Sequence, residues 1–205
     1  MMNIRELNAG DRKNIDRIAL LHEKAFPGFF LTQLGKQFLI TLYKGYLDDG
    51  ESGIIVAEED EILKGFLAYS NDYPNFYKGL IKRKIIQFAW CSFLATIRHP
   101  SFAKRLLGAF KKSDSVVKKE KYVQLASICT DPAAERHGIG TSLINALISK
   151  VDFSAYAYIN LETDAEGNDR VNSFYQKNGF VLAGQYTTLE GRKMNEYHYA
   201  PGDHS

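Results

Sequence analysis

The sequence predicts an α/β (α+β) fold, a single mixed sheet flanked by helices, with a helical insertion between the third and fourth strands. Three observations predict it. Apolar runs bounded by turn residues alternate with segments whose apolar residues recur at three and four, in the order β-α-α-β-β-(insert)-β-α-β-α-β-β. No repeat or low-complexity linker divides the chain. Its 205 residues, 45% hydrophobic and 24% charged, are enough for one good core and short for two. A single domain over 1–205 is therefore expected, with 71–120 as a basic helical insertion inside it.

The first strand is "MNIRELN". From Asp11 the pattern turns helical, with Ile15, Ile18, Ala19, Leu21, His22 and Ala25 at helical spacing, until "FPGFF" breaks it at Pro27 and Gly28. Thr32 is expected to cap a second helix whose inner face carries Leu34, Phe38, Leu39, Leu42, Tyr43 and Tyr46. Residues 53–70 read as a hairpin turning at Glu59, Asp60 and Glu61. Residues 78–112 read as two basic helices broken at "HPS" (99–101). "KYVQLASICT" (121–130) is a strand ended by Pro132, and "GTSLINALISKV" is a helix. "AYAYINLET" is a strand and "NDRVNSFYQKN" a helix, and "GFVLAGQYTTL" pairs with "KMNEYHYA" as a closing hairpin.

Bulk properties exclude several classes. Two cysteines, Cys91 and Cys129, both in apolar runs, are no disulfide framework and suit a reducing compartment. The first residues lack the apolar core of a signal peptide. The longest apolar stretch, residues 85–97, falls short of the ~20 residues a spanning helix needs. A cytoplasmic protein is expected. Net charge is +2, unevenly spread: residues 71–120 hold eleven Lys and Arg against Asp72, Asp114 and Glu120, a local balance of +8. The rest holds 15 basic against 21 acidic residues and carries −6. A basic segment in an otherwise acidic chain suggests an anionic partner; no nucleic-acid motif accompanies it, and no metal is expected.

"AERHGIG" (134–140) joins a strand to a helix. Exposed amides at a glycine-containing strand-to-helix turn are the setting in which phosphate binds. A P-loop would need lysine after Gly140, where Thr141 stands. A dinucleotide fingerprint would want a small residue in place of Leu143. The alternative is a helix entry whose glycines serve packing alone.

A second segment narrows the choice. "ICTDPAAERHGIGTSLI" and "NLETDAEGNDRVNSFYQKNGF" together resemble the two core motifs of the GNAT (Gcn5-related) N-acetyltransferases, over about residues 121–183. The resemblance implies a largely antiparallel sheet and acetyl-CoA as cosubstrate, its pyrophosphate on the loop formed here by Arg136, His137, Gly138, Ile139, Gly140 and Thr141. It implies that pantetheine pairs like an added strand with Ile128, Cys129 and Thr130, where a backbone N–H also meets the developing oxyanion. Asn168 matches the asparagine that contacts the cofactor, and Tyr175 the tyrosine that protonates the departing thiolate. A neutral phenol is a chemically reasonable donor for that step; the other reading of Tyr175 is a core aromatic. One position departs from the family pattern: Glu135 stands where Gln or Arg is usual, and its carboxylate would repel a pyrophosphate unless Arg136 or His137 compensates.

Attack on a thioester requires a neutral amine, hence a base or a water relay. Glu162 lies near the end of the strand before Asn168, where some protein-acetylating family members carry a catalytic glutamate, though its spacing is six residues rather than five. His22 and Glu23 are further candidates. Phe26, Phe29 and Phe30, at a Pro-Gly break in a region that borders the family's acceptor groove, line that groove or pack as core. The insertion, with Phe76 and Tyr77 interleaved among its lysines, is a lid selecting an anionic acceptor, a membrane-surface contact through 78–112, or a solvated basic face. The expected activity is acetyl transfer to an amine, on a small anionic metabolite such as a nucleotide-linked amino sugar. The alternatives are a protein or peptide acceptor, or a non-catalytic acyl-CoA-binding regulator.

Overall fold

The computed structural model describes residues 2–84, 120–134, 138–188 and 191–202. Seven strands form one sheet: β1 (Asn3–Glu6), β2 (Ser52–Glu59), β3 (Ile62–Ser70), β4 (Tyr122–Thr130), β5 (Tyr158–Asp164), β6 (Val181–Thr187) and β7 (Lys193–Tyr199), in the order β1-β2-β3-β4-β5-β7-β6. Only β4 and β5 run parallel. The helices are α1 (Asn14–Ala25), α2 (Phe30–Gln33), α3 (Lys36–Asp48), α4 (73–84, as far as it is described), α5 (Ile139–Lys150) and α6 (Asp169–Lys177). The mixed, mostly antiparallel sheet agrees with the predicted fold. Most of the insertion, 85–119 with Cys91, lies outside the described residues.

Period-two alternation in the central strands builds two apolar layers. Ile54, Val56, Phe66 and Ala68 join α1, α3 and the start of α4 on one face. Ile55, Ala57, Leu67 and Tyr69 meet α5 and α6 on the other. That two-sided burial is why "GIIVA" reads as an unbroken apolar run. The β2–β3 turn has positive φ at Asp60 and Glu61, the geometry of a tight hairpin.

Two predicted boundaries move. Thr32 is no N-cap: it lies inside the short α2 and its hydroxyl donates to the Phe26 carbonyl at 2.6 Å, while α3 starts after Gly35 at φ +95°. A helix restarting from a left-handed glycine needs no side-chain cap to turn the chain. β5 starts at Tyr158 rather than Ala155, because Asp152 holds the preceding residues in a turn by accepting from the Ser154 backbone N–H at 3.0 Å.

One feature of the sheet creates the site. β4 and β5 pair only at Tyr122–Tyr158, Val123–Ile159 and Gln124–Asn160, and then diverge. At the last rung the buried Asn160 amide donates to Gln124 Oε1 at 2.6 Å, pinning the fork. Immediately beyond it the β3–β4 register shifts at Ala126, a bulge that redirects β4 away from β5.

Candidate active site

Among the described residues the open fork leaves one edge of β4 unpaired beyond Gln124. Asp131 N–H donates back to the Lys64 carbonyl at 2.7 Å, so the ladder's alternation turns Cys129 toward β3 and the backbone groups of Ile128 and Thr130 into the fork. The predicted trio thus divides: Ile128 and Thr130 present free backbone, whereas Cys129 spends its backbone on β3 and buries its side chain with α1 and α3. Burial pushes the Cys129 thiol up, so it stays protonated and is no nucleophile.

The loop after β4 is tethered. Lys24 of α1 holds Asp131 at 2.5 Å and Ala133 N–H donates to the same carboxylate, which keeps its pKa below the ordinary value. Glu135, Arg136 and His137 lie outside the described residues. Gly138 follows at φ +69°, a left-handed turn that a side chain would strain. α5 begins there with no side-chain cap, so the amides of Ile139, Gly140 and Thr141 head an uncapped helix N-terminus. Gly140 has a different task, since a Cβ there would come within 2.9 Å of Phe174 Cζ, across the contact between α5 and α6. The two glycines are needed for separate reasons, one for backbone conformation and one for close packing.

α6 completes this wall. Asn172 donates to the Asp164 and Asn168 carbonyls at 3.0 and 2.9 Å, and accepts from Asn195 and Tyr197 at 2.8 and 3.0 Å. This satisfied network bolts the helix to β5 and β7. Asn168 donates to Thr163 Oγ1 at 2.7 Å and to the Asp164 carbonyl, which leaves its amide oxygen for a ligand. Tyr175 is buried among Phe180 and Tyr197, as the core reading expects, yet it also lines the fork. Burial raises its phenol, so it is held neutral.

A single cavity of about 860 Å³ joins these groups. It runs from Gly138, Gly140 and Thr141, past Thr130, Ile128, Asn168 and Tyr175, to Glu162 and then between the helices of the opposite layer. Every predicted site residue among those described touches it, including Ile139, Cys129, Phe26, Phe29 and Phe30. Glu162 accepts from the Tyr186 hydroxyl at 2.8 Å; that phenol is raised by burial and by Glu162 itself, so it remains a donor.

The helical end of the cavity holds residues that the sequence reading passed over or did not connect. Tyr73, Tyr77, Leu80 and Ile81 project into it from α4, while Lys78, Lys82 and Arg83 are exposed and do not line it. Their signal in the sequence is the spacing i, i+4, i+7, i+8, interleaved with charged residues. His22 is 4% exposed, with Nδ1 2.6 Å from the Tyr43 hydroxyl and Nε2 without a partner among the described residues. Burial lowers its pKa to about 4, so the ring is neutral. Tyr43 in turn lies 3.5 Å from Ser127 Oγ on β4, beside the bulge. His22, already a candidate, is therefore no titrating base near neutrality; it supports Tyr43.

The chain that carries this fork and chamber is matched in sequence profile and in fold by known proteins. The profile of the acetyltransferase (GNAT) family matches residues 15–180. The chain belongs to this family. As a GNAT acetyltransferase it is an acyl-transfer enzyme. An N-acetyltransferase from Staphylococcus aureus Mu50 is similar in structure at 15% identity, with 98% of each chain covered and a TM-score of 0.61. The Escherichia coli ribosomal-protein-S18-alanine N-acetyltransferase matches at 14% identity, covering 98% of this GNAT chain and 94% of its own, with a TM-score of 0.58. Arabidopsis thaliana NAA60, solved in complex with acetyl-CoA, matches at 13% identity over 98% and 99% of the two chains, also at 0.58. At such identities the likeness is one of fold. No curated protein matches the sequence. Among the described residues no helix is long and apolar enough to cross a membrane, and no cluster of three or more His, Cys, Asp or Glu stands ready for a metal.

Proposed function

We propose that this GNAT enzyme transfers the acetyl group of acetyl-CoA directly to an acceptor amine, within one domain over 1–205 that carries 71–120 as an insertion. One observation carries the reading: the cavity that begins at the amides of α5 passes the free β4 edge and continues into a chamber on the far side. The structural neighbours solved with acetyl-CoA, including Arabidopsis thaliana NAA60, support the same cosubstrate.

In this reading the amides of Ile139, Gly140 and Thr141 take the pyrophosphate, with Arg136 and His137 adding charge. The backbone of Ile128 and Thr130 takes the pantetheine arm as an extra strand, with Cys129 between them holding the strand's register. The Asn168 amide oxygen is a further contact. The amine lone pair attacks the thioester carbon, and a β4 N–H meets the oxygen as it gains charge. The C–S bond breaks, its electrons stay on sulfur, and Tyr175 donates its proton to the thiolate. Burial keeps the phenol protonated until then, and the same dry surroundings raise the demand of the thiolate for a proton. The proton released by the amine passes to Glu162, directly or through water. Cys129, a free buried thiol, suits the reducing cytoplasm.

The test is thermal. Acetyl-CoA at millimolar concentration is expected to raise Tm, because a ligand of the native state stabilises it by mass action. Gly138→Glu should abolish the shift, by straining the left-handed turn and setting a carboxylate where phosphate binds. An unchanged wild-type Tm, or a shift that persists in the variant, would remove the reading.

A further inference from the structure

Past the fork the cavity changes character. On the cofactor side its lining is largely backbone amide and short polar groups; on the other it is side chains of α1 to α4, chiefly Phe26, Phe38, Tyr46, Tyr73, Leu80 and Ile81. The few polar atoms there carry no charge. His22 is neutral and its Nδ1 is occupied by Tyr43. Burial raises the phenols of Tyr43, Tyr46, Tyr73 and Tyr77. Among the described residues no Lys or Arg of these helices lines the chamber, and the basic side chains of α4 point elsewhere. The carboxylate of Glu162 lines the same cavity, and the proposed function makes it the acceptor of the amine's proton.

This arrangement excludes one acceptor class and favours another. A phosphate or carboxylate entering between α1 and α4 would give up water and meet no cation from the described residues of these helices; the basic side chain in the described lining, Arg170, belongs to α6. A polyhydroxylated body would find only a few phenols and His22 Nε2 as partners for its many hydroxyls among the described residues of these helices. An aromatic or aliphatic body gains burial against rings that accept edge and face contacts. We propose that the acceptor is a primary amine carried on an apolar, aromatic-sized body without an anionic group. The body lies among α1, α3 and α4, and the nitrogen lies at the fork beside Glu162. This rests on the acetyl-transfer reading and differs from the anionic acceptor suggested by the charge of the insertion.

The experiment follows CoA release by the full chain at saturating acetyl-CoA with 2-phenylethylamine, ethanolamine and glucosamine 6-phosphate. The expected kcat/KM for 2-phenylethylamine is about 100-fold above that for ethanolamine, with glucosamine 6-phosphate at background. Ile81→Lys should raise KM for 2-phenylethylamine about tenfold and leave the acetyl-CoA thermal shift intact. Phe26→Ala, at a half-buried ring, should do the same and serves if the first variant does not fold. Equal or better turnover of either polar amine overturns the inference. So does the absence of turnover with 2-phenylethylamine while acetyl-CoA still raises Tm, an outcome that spares the cofactor reading. Loss of the thermal shift itself would instead remove the reading beneath it.

Discussion

The two halves of the cavity are built from different materials. The wall proposed for the cofactor, formed by the end of β4 and the starts of α5 and α6, offers backbone groups: edges at Ile128 and Thr130 that are free among the described residues, and amides after Gly138 with no side-chain cap. The chamber proposed for the acceptor offers side chains from four helices, α1 to α4. A backbone site tolerates change at most of its positions but demands glycine where φ is positive or where a neighbour leaves no room for a Cβ. A side-chain chamber is the reverse: its contour and polarity change with each substitution while the helices persist. The chemistry common to a family belongs on the first kind of wall, and choice of acceptor on the second.

Tyr175 is where this contrast breaks most sharply, since it is the one side chain of that wall to which the proposed function gives a chemical step. Tyr175→Phe keeps the ring against Phe180 and Tyr197 and removes only the proton donor. Its kcat should fall ~10²–10⁴-fold with acetyl-CoA affinity nearly unchanged, the loss expected of a general acid. Pre-steady-state turnover with 2-phenylethylamine measures this. An unaltered chemical rate would make the residue a packing group and leave the cofactor wall entirely to backbone.

His22 sharpens the chamber side. Its pKa falls by burial from 6.5 to about 4. As pH drops from 6.5 toward 4 the unfolded chain takes up a proton that the folded chain does not, so stability decreases through that window. A shift of this size corresponds to roughly 3 kcal/mol. His22→Asn should therefore flatten the acid limb of the stability curve. Urea midpoints of both proteins at pH 7 and pH 4.5 test it, and parallel curves would show that His22 is reached by solvent.

The smallest effect is expected at the charged face of α4. Lys82, Arg83 and Lys84 do not line the cavity, and Arg83 lies 3.7 Å from Asp49 at the surface. Their joint replacement by Gln should leave acceptor KM and its salt dependence unchanged, with stability within about 0.5 kcal/mol. A several-fold rise in KM would bring the charge of the insertion into the acceptor site.

What could be read beforehand divides along the same line. Gly138, Asn168 and Tyr175 stand at fixed spacing within one strand–turn–helix–strand–helix run, so their grouping was visible in "ERHGIG" and "NDRVNSFYQKNGF". Even there the sequence did not separate the tasks of the two glycines, because the demand on Gly140 comes from Phe174, more than thirty residues away. The bulge at Ala126 and the rung between Gln124 and Asn160 left no mark, since a register shift is a relation between strands. The charge count was visible too, but a balance summed over 71–120 cannot say which face of α4 looks inward, and 85–119 lie outside the described residues.

By itself the sequence determined the element order, the apolar set, the glycine-containing strand-to-helix loop and the tyrosine that lines the same cavity. These follow from local periodicity, turn chemistry and short spacing, which act within a few turns of chain. Only the tertiary structure decided that β4 and β5 part after three rungs, that Cys129 faces β3 while its neighbours face the fork, and that Phe26, Phe38, Tyr46, Tyr73 and Leu80 enclose one apolar chamber. The reason is physical: such contacts join segments tens of residues apart, and their geometry is set when two apolar layers pack against one twisted sheet, a condition no single segment contains.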